Sequence, residues 1–159
     1  MITIVSGLPR SGTSMMMQML EAGGLPPLTD HIRKPDDDNP YGYYEFERVK
    51  KIKEDTTWLD DCSGRAVKMV SMLLYDLPPD RQYKVIFMRR NLDEMLASQN
   101  KMLKHLGTGE AGIRDEMIMD TFTKHMKDIE IWLEKQPNIH LIYMNHHDVI
   151  KNPIEVAGK

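Results

Sequence analysis

The chain has 159 residues, 41% hydrophobic and 28% charged, so it can bury one core, and we expect residues 1–159 to form a single domain. Its formal net charge of -3 excludes bulk binding to nucleic acid, and no apolar stretch reaches the roughly 18–20 residues of a membrane span. The single cysteine, Cys62, excludes an internal disulfide framework, and Met1 leads straight into an apolar run, so we expect a cytoplasmic protein without membrane insertion.

A strand, a glycine-rich loop and a helix follow one another at the amino end. Residues 2–6 have the continuous apolar pattern of a buried strand, and residues 12–22 have the apolar period of a helix. The segment between them reads SGLPRSGTS, residues 6–14. This order is typical of phosphate sites, because backbone N–H groups and the helix N-terminus converge on an anion. The alternative is a glycine-rich turn without a ligand.

The next segment has no periodic pattern. Residues 25–42 are rich in Pro, Asp and Asn, which predicts a long loop that acts as a mobile flap over the site and contributes to substrate choice. Residues 43–61 return to a helical period and predict a helix. Residues 65–70 predict a second strand, and a short turn or helix ends at the following prolines.

The second half repeats the order of strand, turn and helix. Residues 83–88 predict a strand, and Asn91 with Glu94 forms a capping pattern for a helix over residues 92–105. Residues 106–112 predict a loop.

A long helix and a last strand complete the predicted elements. The helix is predicted over residues 113–135, and a fourth strand over residues 138–144. The apolar residues expected on one face of this helix are Met117, Phe122, Met126, Ile129 and Leu133. The alternation predicts an α/β fold, a P-loop nucleotide-binding three-layer sandwich with a mostly parallel sheet of about four to five strands.

The loop fits the P-loop of nucleotide-hydrolysing proteins only in part. In the pattern G-x-x-x-x-G-K-[ST], Gly7, Gly12 and Ser14 match, whereas Thr13 occupies the lysine position. The cradle for a β/γ-phosphate held with magnesium is therefore incomplete. A nucleoside-triphosphate-dependent kinase or hydrolase remains as an alternative function.

The same loop resembles that of sulfotransferases that use 3′-phosphoadenosine 5′-phosphosulfate (PAPS), including bacterial members with a P-loop. The family pattern P-[KR]-S-G-T-[TS] matches Pro9 to Ser14. The resemblance implies that the 5′-phosphate and the bridging oxygen are held by Arg10, Ser11, Gly12, Thr13 and Ser14. It also implies that Arg10 is catalytic, because charge develops there as the S–O bond breaks.

A second segment, VIFMRRNLDEMLASQ, resembles the family's element for the 3′-phosphate. By that resemblance, Arg90 at the strand end and Ser98 eight positions later bind this group. The sequence departs from the family in Leu92, where a proline is usual, and in the extra cation Arg89. Alternation along a strand puts the two arginines on opposite faces, so we expect Arg90 to face the site. In the alternative, the arginines are surface charges and the serine is an ordinary helix residue.

A third segment, HHDVIKNP, is similar to the family's late strand-to-helix turn. His146 occupies the position of an aromatic residue, and Pro153 would open the next helix. The family continues with a further helix and a basic loop over the cofactor, so the predicted domain lacks that C-terminal helix region. A non-catalytic nucleotide-binding domain is therefore another alternative.

The candidate catalytic residues beyond Arg10 are Lys68 and Glu45. The family's second strand ends in K-T-H, with the histidine as base; here Lys68 is kept and Val70 replaces the histidine. Lys68 would stabilise the transferring group; alternatively, it is a solvated lysine. Glu45, in the run NPYGYYEFE, resembles a glutamate base of carbohydrate-modifying members and would begin a helix. Alternatively, Glu45 has no catalytic role and is simply an acidic residue that the helix dipole favours at a helix start.

The resemblance implies a sulfotransferase that transfers a sulfuryl group from PAPS to a hydroxyl or amine acceptor. We expect the acceptor to be a small molecule or a carbohydrate. No metal is required, because a cation and backbone donors can do what magnesium does in kinases. The histidines lack partners at metal-ligand spacing, so no metal site is predicted.

Overall fold

Four parallel strands form the sheet of the computed structural model, which describes residues 1–107 and 113–157. The strands are β1 (Ile2–Gly7), β2 (Ala66–Val70), β3 (Tyr83–Arg89) and β4 (Ile139–Asn145). Their order is β2-β1-β3-β4, and every neighbouring pair is parallel. The predicted α/β fold with a parallel sheet is confirmed. The reversal of strand order beside β1 creates a crevice at the carboxyl ends of β1 and β3, where open α/β sheets bind ligands.

Five α-helices connect and flank the strands in the described part of the chain. They are α1 (Thr13–Ala22), α2 (Leu92–His105), α3 (Ile113–Glu134), α4 (His146–Lys151) and α5 (Pro153–Ala157). The predicted cap of α2 is confirmed, since the Asn91 side chain accepts from the N–H groups of Asp93 and Glu94. The loop predicted at 106–112 lies mostly outside the described residues. Among the described residues, no helix combines the length and hydrophobicity needed to cross a bilayer.

The helix predicted over residues 43–61 is wrong. The structure has two 3₁₀-helices there instead, Glu47–Lys51 and Thr57–Cys62. Between them, the Asp55 carboxylate accepts from the backbone N–H and the hydroxyl of Thr57 at 3.0 and 2.6 Å. This local bonding offers the backbone an alternative to a continuous helix. A third 3₁₀-helix, Ser71–Asp76, follows β2.

The sheet is packed on both faces. In β1, Ile4 belongs to a larger apolar cluster with the 3₁₀-helices and α3, whereas Val5 belongs to a smaller cluster with α1 and α4. Successive residues of a strand point to opposite faces, so β1 is buried on both. The predicted three layers are therefore present.

The predicted apolar face of α3 is correct only toward its carboxyl end. Ile129 and Leu133 are buried, whereas Met117 is 67% exposed, so the shared face predicted for Met117 is wrong. With 3.6 residues per turn, Met117 lies about 120° around the helix from Ile129 and therefore outside the buried stripe.

The segment 25–42 is a long loop, as predicted, without helix or strand except for isolated bridges. It begins beside the edge strand, where the Leu28 N–H donates to the Ala66 carbonyl at 2.7 Å. We call residues 25–42 the flap. Its mobility stays a prediction.

Candidate functional site

The loop between β1 and α1 has a backbone shape that requires its glycines. A Cβ atom at Gly7 would lie 2.5 Å from Ser11 Oγ and 2.8 Å from the Met88 carbonyl oxygen. At Gly12, where φ is 98°, a Cβ atom would lie 2.7 Å from His146 Cδ2. The loop therefore packs too closely against β3 and α4 for side chains at these two positions.

Polar groups converge in this loop. The first N–H groups of α1 have no partner within the helix, as at every helix N-terminus. The Ser11 hydroxyl is buried and, within the described residues, has no hydrogen-bond partner. Gly12, Thr13 and Ser14 line the cleft above the loop. These donors fit the phosphate predicted for this loop.

Lys68 adds a cation to the loop from the neighbouring strand. It pairs in register with Val5 of β1, and its Nζ atom donates to Ser14 Oγ at 3.2 Å and to the Tyr43 carbonyl oxygen. Burial lowers the pKa of Lys68 to about 8, against the opposing influence of the Glu45 carboxylate. In nucleotide-hydrolysing P-loops the loop itself carries a lysine, and Thr13 occupies that position here. The amine beside this loop comes from Lys68 of β2.

Arg89 and Arg90 point in different directions, as the strand period predicts. One guanidinium N–H of Arg90 donates to the Arg10 carbonyl at 2.9 Å, and Arg90 lines the same cleft as the loop. Arg89 pairs with Glu130 at 2.8 Å, and its guanidinium lies 3.5 Å above the ring of Tyr143. Only Arg90 therefore contacts the loop.

Ser98 meets Arg10 rather than Arg90. Its Oγ atom accepts a hydrogen bond of 3.0 Å from Arg10 Nε, and the Arg10 guanidinium reaches Met102 Sδ at 4.0 Å. Arg10 has a left-handed backbone, with φ of 64°, which turns its side chain toward α2. Arg90, Arg10 and Ser98 thus form one connected chain of hydrogen bonds.

Glu45 lines the cleft beside the flap. It precedes the 3₁₀-helix Glu47–Lys51 and does not begin a helix itself. Its carboxylate pairs with Arg33 at 2.8 Å, and the Arg33 guanidinium lies 3.4 Å over the ring of Tyr43. The Tyr43 hydroxyl donates to Asp36 at 2.7 Å, so the flap is tied to the segment that carries Glu45.

One cleft of about 410 Å³ joins these groups. The predicted residues that line it are Arg10, Gly12, Thr13, Ser14, Glu45, Lys68 and Arg90. The predicted Ser11 and Ser98 do not line the cleft. The Ser11 hydroxyl lies close to Gly7, and the Ser98 hydroxyl accepts the hydrogen bond from Arg10.

Further residues line the cleft that were not among the predicted site residues, among them His146 and Arg33. His146 packs against Gly12, and burial, followed by the charge of Arg90, lowers its pKa. Its position directly after β4 was the available signal, since strand ends meet at this edge. Arg33 gave no signal, because an aperiodic flap does not indicate which of its side chains turns inward.

The comparisons with known proteins place the fold. No protein-family model matches the sequence, and no curated protein matches it. The solved sulfotransferase domain from the curacin biosynthetic pathway is similar over 98% of this chain and 70% of its own, with 15% identity and a TM-score of 0.56. A sulfotransferase from Alicyclobacillus acidocaldarius is similar over 98% and 76%, with 13% identity and a TM-score of 0.55. At these identities the likeness shows a sulfotransferase-like fold.

Proposed function

We propose that the protein is a sulfotransferase that uses PAPS as sulfuryl donor. The observation that carries the proposal is one cleft lined by two cations that contact the loop, Lys68 at Ser14 Oγ and the strand-end Arg90 at the Arg10 carbonyl. Two cationic positions at one sheet edge suit a nucleotide that is charged at both its 5′ and 3′ ends.

The loop would hold the 5′ end of the donor. Gly12, Thr13 and Ser14 offer backbone N–H groups and hydroxyls, and the unpartnered Ser11 hydroxyl is a further donor. Arg90, with Ser98 behind it through Arg10, would hold the 3′-phosphate. The fit of these residues to anions and the sulfotransferase-like fold support this assignment.

The chemistry moves one sulfuryl group between two oxygens. The bond between sulfur and the bridging phosphate oxygen breaks, its electron pair stays on adenosine 3′,5′-bisphosphate, and a new bond forms from the acceptor oxygen to sulfur. Glu45 would take the acceptor proton, since it lies in the same cleft as the loop. Lys68, which already contacts Ser14, would stabilise the charge on the transferring group and the leaving oxygen.

Isothermal titration calorimetry tests the proposal directly. Adenosine 3′,5′-bisphosphate, the product nucleotide, should bind at least tenfold more tightly than AMP, because only the former engages Arg90. ATP with magnesium is the comparison for a kinase or hydrolase. Tighter binding of magnesium–ATP than of the bisphosphate would reject the proposed function, and equal affinity for AMP would reject a 3′-phosphate site.

A further inference from the structure

Part of the lining of the cleft is apolar, and we call this part the apolar wall. It includes Phe46, Val49, Met69, Val70 and Leu73. Val49 and Met69 are buried in the larger core cluster, and Phe46 and Leu73 pack against that cluster. The wall is therefore the margin of the protein core, reachable mainly at Phe46, Val70 and Leu73, in the same cleft as Glu45 and Lys68.

Packing holds the wall in place. The ring of Phe46 meets Trp58 edge-on, with centroids 5.8 Å apart. Trp58 is fully buried, and its indole N–H donates to the Asp55 carbonyl at 2.9 Å. An apolar ligand would thus meet a preformed surface and would not have to order it.

The protonation of the acceptor group separates amines from hydroxyls. An acceptor amine is an ammonium ion near neutral pH and has no free electron pair for the attack on sulfur until it loses a proton. Arg33 and Arg10 both act on Lys68 electrostatically, and Glu45 is the carboxylate that opposes them. A hydroxyl is neutral and keeps its electron pairs, so it meets no such barrier.

The wall also discriminates among hydroxyl compounds. A sugar ring carries several hydroxyls, and those facing the wall would lose water without gaining a hydrogen bond. An alkyl or aryl body, in contrast, gains about 25 cal/mol for each Å² of apolar surface it buries.

We infer that the acceptor is an alcohol or phenol with an apolar body, which lies on Phe46, Val70 and Leu73 with its hydroxyl toward Glu45 and Lys68. As an acceptor assignment, this inference rests on the proposed sulfotransferase function. The binding surface itself does not depend on the nucleotide.

Methionine methyl groups report on the apolar wall and on the loop separately. Met69 belongs to the wall, whereas Met15 Cε lies beside Gly12 and Met102 Sδ contacts the Arg10 guanidinium. Met72 follows β2 and is 60% exposed outside the cleft, so it is an internal control. In protein labelled with ¹³C at its methionine methyls, 2-naphthol should shift the Met69 signal, and methyl glucoside at the same concentration should leave it unchanged.

Substitutions test whether the wall causes this shift. Val70 is 45% exposed, so Val70→Ser is tolerated sterically and should raise the Kd of 2-naphthol about fivefold by removing apolar contact. Met72→Ser, the matched control, should leave that Kd unchanged. An unmoved Met69 signal, an equal response to methyl glucoside, or an equal rise of Kd in both variants would overturn the inference.

Adenosine 3′,5′-bisphosphate separates this inference from the proposed function. It should shift the Met15 and Met102 signals. If they do not move while 2-naphthol still shifts Met69, the nucleotide assignment fails and the apolar site remains. If they move and Met69 does not respond to 2-naphthol, the sulfotransferase assignment remains and the acceptor class is wrong.

Discussion

The Nε atom of Arg10 donates a 3.0 Å hydrogen bond to Ser98 Oγ, which joins the loop between β1 and α1 to helix α2. Under the proposed function, Ser98 would therefore act on the nucleotide through the arginine.

Replacement of Ser98 by alanine should weaken the binding of adenosine 3′,5′-bisphosphate about threefold to tenfold, since it removes a hydrogen bond that positions Arg10 and a typical hydrogen bond contributes about 1 kcal/mol. Calorimetry measures the change. The control is Thr121→Ala, which removes a helix hydroxyl that bonds only the Met117 carbonyl on an exposed face. Equal affinities of wild type and Ser98→Ala would remove this serine from the site.

The two adjacent arginines provide a matched pair of variants. Arg90→Ala should weaken the binding of adenosine 3′,5′-bisphosphate by about 1.5–3 kcal/mol and hardly change the binding of AMP, because a charge-assisted bond to the 3′-phosphate is lost. Arg89→Ala should change neither affinity, since Arg89 pairs with Glu130 away from the loop. Equal losses for both nucleotides in Arg90→Ala would contradict the assignment.

The directions of these arginines were predictable, whereas the contact between Arg10 and Ser98 was not. The period of two along a strand depends only on backbone geometry, so it separates neighbouring side chains without knowledge of the fold. Arg10 and Ser98 are 88 positions apart, and the direction of the arginine follows from a positive φ in the loop. No periodic pattern in the sequence indicates that dihedral angle.

The parallel sheet and the bounds of α2 were predictable for a similar reason, because apolar runs and a capping asparagine are local signals. The 3₁₀-helices Glu47–Lys51 and Thr57–Cys62 were missed, because their apolar residues imitate the period of one α-helix. What interrupts that helix is the side-chain bonding of Asp55 to Thr57. The inward turn of Arg33 depends on its stacking with Tyr43, a contact within an aperiodic loop.

Glu45→Gln should lower turnover about a hundredfold, the size of a typical general-base contribution, with nucleotide affinity unchanged. Turnover is measured with labelled donor and 2-naphthol, and affinity by calorimetry. Glu47→Gln is the control, because Glu47 pairs with Lys50 at 2.7 Å on an exposed surface.

The ion pair with Arg33 offers a second explanation for such a loss, since Glu45→Gln also weakens that pair. Arg33→Gln breaks the pair and keeps the carboxylate. If Glu45 is the base, Arg33→Gln retains most of the turnover. Equal losses in the two variants would assign Glu45 a structural role.

Lys68 makes the free energy of unfolding depend on pH in the alkaline range. Burial lowers its pKa from 10.5 to about 8 in the folded state, so between these values the unfolded chain binds more protons than the folded one. The free energy of unfolding therefore rises with pH across this window, and the cost of the buried charge is fully present below pH 8. Lys68→Met removes this contribution.

Urea unfolding at pH 7 and pH 10 measures the effect. The stability of wild type minus that of Lys68→Met should increase by about 1–3 kcal/mol from the lower to the higher pH, because this interval covers most of the range between the pKa of 10.5 and that of about 8. Lys101→Met, at an exposed position of α2, gives the baseline for the loss of a lysine. A difference that stays constant between the two pH values would mean that Lys68 is not desolvated, and the amine would then be an ordinary surface cation beside the loop.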